Sequence, residues 1–147
     1  MTVEGTSGGD CLARAAYGEA QVGEDKKLIL VADDDKDLVT ALSIRLRAAG
    51  YSVVGAYDGD EAYRVAQESR PDLIILDVRM PAGGGFDSID KIKHSIATRG
   101  IPVIFLTAFD DEEMKQEARE QGAVGFFRKP FDDAEFMGAI QNVLSRS

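Results

Sequence analysis

The sequence predicts an α/β domain: a doubly wound, five-stranded parallel sheet with five helices covering its two faces. Three observations lead there. Five short stretches are apolar without interruption, the pattern of strands buried on both faces. Helix-period stretches alternate with them, as crossover connections between parallel strands require. Polar and charged residues sit just after the strands, on the rim where sheets of this class bind ligands.

The first strand is KLILVA, residues 27–32, with three acids straight after it. Leu38, Leu42 and Leu46 then recur on one helix face, and Gly50 supplies the stop. YSVVGA is the second strand. DGDEAYRVAQES follows as a helix packed through Ala62, Val65 and Ala66, and Pro71 forbids much continuation. LIILD, residues 73–77, is the third strand, and Phe86, Ile89, Ile92 and Ile96 mark the third helix. IPVIFLTA is the fourth strand. In DDEEMKQEAREQG the acids crowd the first turn, as a helix N-terminus prefers, and Gly122 ends the helix. AVGFF, residues 123–127, is the fifth strand, and Phe136, Ile140, Val143 and Leu144 mark the last helix. Residues 1–26 show no clear period and open rich in Gly, Ser and Thr. They read as a flexible N-terminal extension to a domain spanning 27–147.

A chain of 147 residues with a 44% hydrophobic fraction suits a single domain with one sizeable core. The formal net charge of −9 argues against a nucleic-acid-binding surface, which needs clustered Lys and Arg. Cys11 is the single cysteine, so no intrachain disulfide forms, and it reads as an incidental thiol in a reducing compartment. No apolar run is long enough to cross a bilayer, and the polar, glycine-rich start is not a secretion signal. The expected location is cytoplasmic.

Asp33, Asp34 and Asp35 follow the first strand and Asp77 ends the third. Thr107 ends the fourth, and Lys129-Pro130 follows the fifth. The fold brings these strand ends to one rim. Carboxylates held together there raise one another's pKa unless a hard cation sits among them. Mg²⁺ takes oxygen ligands and commonly one or two carboxylates plus phosphate oxygens. A carboxylate beside such a cation can act as nucleophile toward phosphorus, giving an acyl phosphate. Lys129 and the Thr107 hydroxyl then supply charge and a donor to the phosphoryl oxygens. Any one of these residues has an ordinary reading: a helix cap for the Asp33–Asp35 run, a turn cap for Asp77, a surface lysine for Lys129. Four strand ends carrying the right residue types in the right order do not.

With LILVADDD, LIILDVRMP, VIFLTA and FFRKPF, the chain from Lys27 onward resembles the receiver domain of two-component response regulators, a chemotaxis-regulator-like, flavodoxin-like fold. The resemblance implies strand order 2-1-3-4-5. It implies Mg²⁺ (or Mn²⁺) held directly by Asp34, largely through water by Asp33, and by Asp77 and the backbone carbonyl of Arg79. Asp77 becomes the phosphoacceptor from a sensor histidine kinase or a histidine phosphotransfer protein. Thr107 swings toward the phosphoryl group, and Lys129 pairs with Asp77 or its phosphate. Phe126 takes the place of the switch aromatic, and the Lys129-Pro130 bond is cis. A downstream protein partner then docks on the helix 4–strand 5–helix 5 face, with room for a homodimer around the last two helices. The chain departs from the family in its loop MPAGGGFD, where Gly83 to Gly85 predict extra mobility, and in Phe rather than Tyr at position 126. Phe109 is expected to shield the phosphoryl group and slow its hydrolysis.

Three alternatives compete with this reading. A phosphatase of the haloacid dehalogenase type also forms an aspartyl phosphate, but its nucleophile follows the first strand in Asp-x-Asp-x-Thr or Val. Here Asp37 breaks that pattern. A receiver-like docking module would not need the full acceptor set. A nucleotide or flavin site would need a glycine-rich loop after the first strand, which is missing. The last helix ends close to Ser147, which reads as a stand-alone regulator, a phosphorelay intermediate, or a piece of something longer. His94 and the run DDEEMKQEARE read as solvated surface.

Overall fold

A computed structural model describes residues 26–78, 85–108 and 112–145. The elements alternate throughout: β1 (Leu28–Ala32), α1 (Lys36–Ala48), β2 (Ser52–Ala56), α2 (Gly59–Ser69), β3 (Leu73–Asp77), α3 (Gly85–Lys93), β4 (Val103–Thr107), α4 (Glu112–Glu120), β5 (Gly125–Arg128) and α5 (Asp133–Ser145). The strands form one sheet in the order β2-β1-β3-β4-β5, and every pairing is parallel. Both the architecture and the strand order agree with the reading of the sequence.

The apolar strands divide their side chains between two faces because successive residues point to opposite sides. Leu28, Leu30, Ile74, Leu76, Val103 and Phe105 pack under α2, α3 and α4, through Ala62, Val65, Ile89, Ile92 and Ala118. Ile29, Val31, Leu73, Ile75, Ile104 and Leu106 pack under α1 and α5, through Leu42, Leu46, Phe136 and Ile140. Each such side chain taken fully from water contributes about 1.5–3 kcal/mol. Continuous apolar strands therefore hold two helical layers at once.

Helix ends fall where the sequence places its stops. Gly50 and Gly122 adopt φ of +101° and +94°, past the ends of α1 and α4, a conformation that costs glycine little. Three expectations shift; the first is the fourth strand, expected from Ile101 to Ala108, which runs Val103–Thr107. α3 stops at Lys93, so Ile96 lies outside it and is 84% exposed. There the chain folds back: Thr98 Oγ1 donates to the Ile92 carbonyl, and Lys93 Nζ donates to the carbonyls of Arg99 and Ile101. The fifth strand begins at Gly125 rather than Ala123: the Val124 N–H already donates to the Val103 carbonyl of β4 (2.8 Å), but paired register with β4 starts at Gly125, and Val124 remains 46% exposed.

β1 pairs with β2 on one side and β3 on the other. The chain reverses its direction of winding at that point, which opens a crevice beyond the carboxyl ends of β1 and β3. Asp33 follows one of those ends and Asp77 closes the other.

Candidate functional site

Asp33 is 1% exposed. Its N–H donates to the Ala56 carbonyl (3.0 Å), which ties the start of the β1–α1 loop to the end of β2. Asp77, 6% exposed, is held by sheet register opposite Leu106, and the next N–H, of Val78, donates to the Leu106 carbonyl (3.1 Å). Asp34 is exposed. One carboxylate oxygen from each of Asp33, Asp34 and Asp77 lies within 4.8 Å of the others. Burying ionised carboxylates this close is costly unless positive charge compensates them.

Lys129 supplies part of that charge. The Lys129 N–H donates to the Thr107 carbonyl at 2.6 Å, which carries the end of β5 back over β4, and the Lys129-Pro130 bond is cis. The Lys129 ammonium donates to Asp33 Oδ2 at 2.6 Å and lies 3.6 Å from Asp77 Oδ2. Burial alone pushes the ammonium pKa down. The hydrogen bond to Asp33 and the charges of Asp77 and Asp33 outweigh it, and the pKa sits above its ordinary value. The expected ion pair with Asp77 is present, but the shorter contact goes to Asp33, the more deeply buried carboxylate.

Thr107 is fully buried at the end of β4, in register with Arg128. Phe126 stands opposite Phe105 and packs, half-buried, against the core beneath α2, α3 and α4. It lies in β5, three residues before Lys129. Arg79, Phe109, Gly83 and Gly84 lie outside the described residues.

The donor set fits a small hard cation: hard carboxylate oxygens, more of them than one lysine neutralises, in a crevice open on the side of Asp34. The helix cap that the sequence offered the Asp33–Asp35 run falls to its last acid. Asp35 caps α1, its side chain accepting from the Leu38 N–H (3.2 Å), while its own N–H donates to Asp33 Oδ1 (2.9 Å). The contact between Asp35 and Asp33 has no signature in sequence.

A family model described as a response regulator receiver domain matches residues 29–141. The transcriptional regulatory protein PdtaR of Mycobacterium tuberculosis is 37% identical over 119 residues, 80% of this chain and 57% of that protein. The alkaline phosphatase synthesis transcriptional regulatory protein PhoP of Bacillus subtilis is 37% identical over 121 residues, 82% of this chain and 50% of that protein. The chain thus spans about half the length of these relatives. Among solved structures, the chemotaxis protein CheY4 of Vibrio cholerae superposes with a TM-score of 0.75 at 35% identity, covering 80% of this chain and 98% of that one. The receiver domain of the sensor histidine kinase PA1611 of Pseudomonas aeruginosa superposes with a TM-score of 0.75 at 29% identity, covering 82% and 98%. That structure has a magnesium ion coordinated in its active site cleft.

Proposed function

The chain belongs to the response regulator receiver family, and from that premise we propose that Asp77 accepts a phosphoryl group and that the domain switches its partner binding in response. The observation that carries this reading is the grouping of the Asp33, Asp34 and Asp77 carboxylates within 4.8 Å with Lys129 beside them. The phosphatase and docking-module alternatives find no support in the family match or in the relatives.

The donor is a phosphohistidine on a sensor kinase or a phosphotransfer protein. A carboxylate oxygen of Asp77 attacks phosphorus, the phosphorus–nitrogen bond breaks, and its electron pair stays with the imidazole, which takes up a proton. The product is an acyl phosphate on Asp77. Asp33, Asp34 and Asp77 would hold Mg²⁺ or Mn²⁺, with the Arg79 carbonyl as a further donor. Such a cation, when bound, supplies positive charge to the phosphoryl oxygens. Lys129, already 3.6 Å from Asp77, pairs with the same oxygens, and the Thr107 hydroxyl donates to them. Movement of Thr107 leaves room for Phe126 to turn inward, and the α4–β5–α5 face changes for a downstream protein or a second copy. The two relatives named above are transcriptional regulators about twice the length matched, so the charge argument against nucleic acid concerns these 147 residues alone. Residues 27–147 form the phosphoacceptor unit, with the preceding segment as an extension to it.

Intact-mass spectrometry after incubation with acetyl phosphate tests the reading. One phosphoryl adduct is expected with Mg²⁺, and none with a chelator or in Asp77→Asn. An adduct that persists in the folded Asp77→Asn variant, or no adduct in folded wild type, overturns it.

A further inference from the structure

The three consecutive acids after β1 divide their work. The carboxylates of Asp33 and Asp34 join Asp77 in the cluster, and Asp35 is not in that group. Its side chain is committed to the Leu38 N–H, and its carbonyl accepts from Val39 at 3.1 Å, so the first turn of α1 holds Asp35 by both side chain and backbone. That turn fixes Asp35 in an extended conformation, φ −84° and ψ 99°, with its N–H directed back at Asp33 Oδ1.

Asp33 is the deepest carboxylate of the site. Both of its oxygens are engaged: Oδ1 by the Asp35 N–H and Oδ2 by the Lys129 ammonium. The two donors differ in kind. Lys129 reaches the site from just past the end of β5, at the end of a flexible side chain. The Asp35 N–H is backbone and moves only if the start of α1 moves. It therefore sets the plane and the depth at which Asp33 presents itself to Asp34 and Asp77.

We propose that Asp35 is a positioning residue for the cation site: by capping α1 it holds its own N–H against Asp33 and keeps that carboxylate in the geometry the cluster needs. The proposal rests on the reading of Asp33, Asp34 and Asp77 as a divalent-cation site. Groups that orient a metal ligand without touching the metal commonly matter tenfold or more in affinity. Linkage makes the effect reciprocal: if an intact first turn of α1 favours the cation, the cation tightens that turn by the same factor.

Full-length protein is titrated with Mg²⁺ by calorimetry, with Asp34→Asn and Asp77→Asn as site controls and Asp35→Ala, Asp35→Asn and Asp35→Ser as tests. Asn and Ser keep an N-cap acceptor without the charge; Ala has neither. The expected result is a dissociation constant for Asp35→Ala weakened about three- to tenfold, with Asn and Ser staying within about twofold of wild type. Amide exchange at Leu38 and Val39 should slow on addition of Mg²⁺ in wild type and not in Asp35→Ala. Denaturant midpoints for all variants establish that they are folded. Unchanged Mg²⁺ affinity in folded Asp35→Ala overturns the proposal and leaves the cation site standing. Equal loss in Asp35→Asn and Asp35→Ala also overturns it, assigning the effect to charge. Wild type that binds no Mg²⁺ removes the cation site itself and the proposal with it.

Discussion

The two halves of the sheet are packed differently. Every residue of β1, β3 and β4 is buried, and β1 and β3 present their acids from a dry aliphatic floor. At the other edge, β5 has no fully buried residue, and within α4 only Ala118 is buried among the described residues. Phe126 and Lys129 belong to this second side. Regions with few buried apolar contacts open at lower free energy than the core. The proposed acceptor thus sits on the rigid side with Thr107, and Phe126 and Lys129, proposed to answer it, sit on the side that moves at lower cost. The physical cause is position: β5 is an edge strand with one neighbour, and α4 carries charge on most of its surface.

Matched truncations sharpen the contrast. Ile75→Ala, at a fully buried site in the middle of β3, should cost about 2–5 kcal/mol by denaturant unfolding. Phe126→Ala removes a larger side chain from a half-buried site, and should cost only about 1–2 kcal/mol, well below the cost of a fully buried Phe. Equal losses would break the comparison. Gly50→Ala and Gly122→Ala serve as an internal control, because each forces a side chain to a left-handed φ, +101° and +94°, with no Cβ contact closer than 3.6 Å. Both should cost about 1 kcal/mol on either half of the molecule, since the strain is local to the backbone.

The smallest effect is confined to pH. Lys129 has a folded-state pKa above its unfolded value of 10.5, so its contribution to stability is complete below that pH. It is lost as pH rises through the folded value. The gap in urea midpoint between wild type and Lys129→Gln should therefore stay constant from pH 8 to 10 and narrow above 10.5. A gap that widens there would contradict the assignment of Asp33 and Asp77 as its partners.

Much of this was legible in the sequence. Unbroken apolar runs carry strand identity in a doubly covered sheet, so β3 was read to the residue. Asp33, Asp34, Asp77, Thr107 and Lys129 were legible because they follow strands, and parallel topology sends all strand ends to one rim. The edge strand was read two residues early because Ala123 and Val124 are apolar but precede the paired register, which starts at Gly125. Ile96 fitted the period of α3 and yet lies exposed, because Thr98 and Lys93 turn the chain back at the end of α3. The preference of Lys129 for Asp33 and the contact between Asp35 and Asp33 depend on three-dimensional distances that no spacing encodes.

The central claim, that Asp77 on the rigid side is the acceptor and that the α4–β5 side responds, is tested most directly by amide hydrogen exchange with and without Mg²⁺ and beryllofluoride, a phosphoryl mimic. In wild type, exchange should change in β5, α4 and the segment around Thr107, while the amides of β1 and β3 stay slow and unchanged. Asp77→Asn should show none of these changes. Changes spread equally across β1 and β3, or the same changes in Asp77→Asn, would contradict the account.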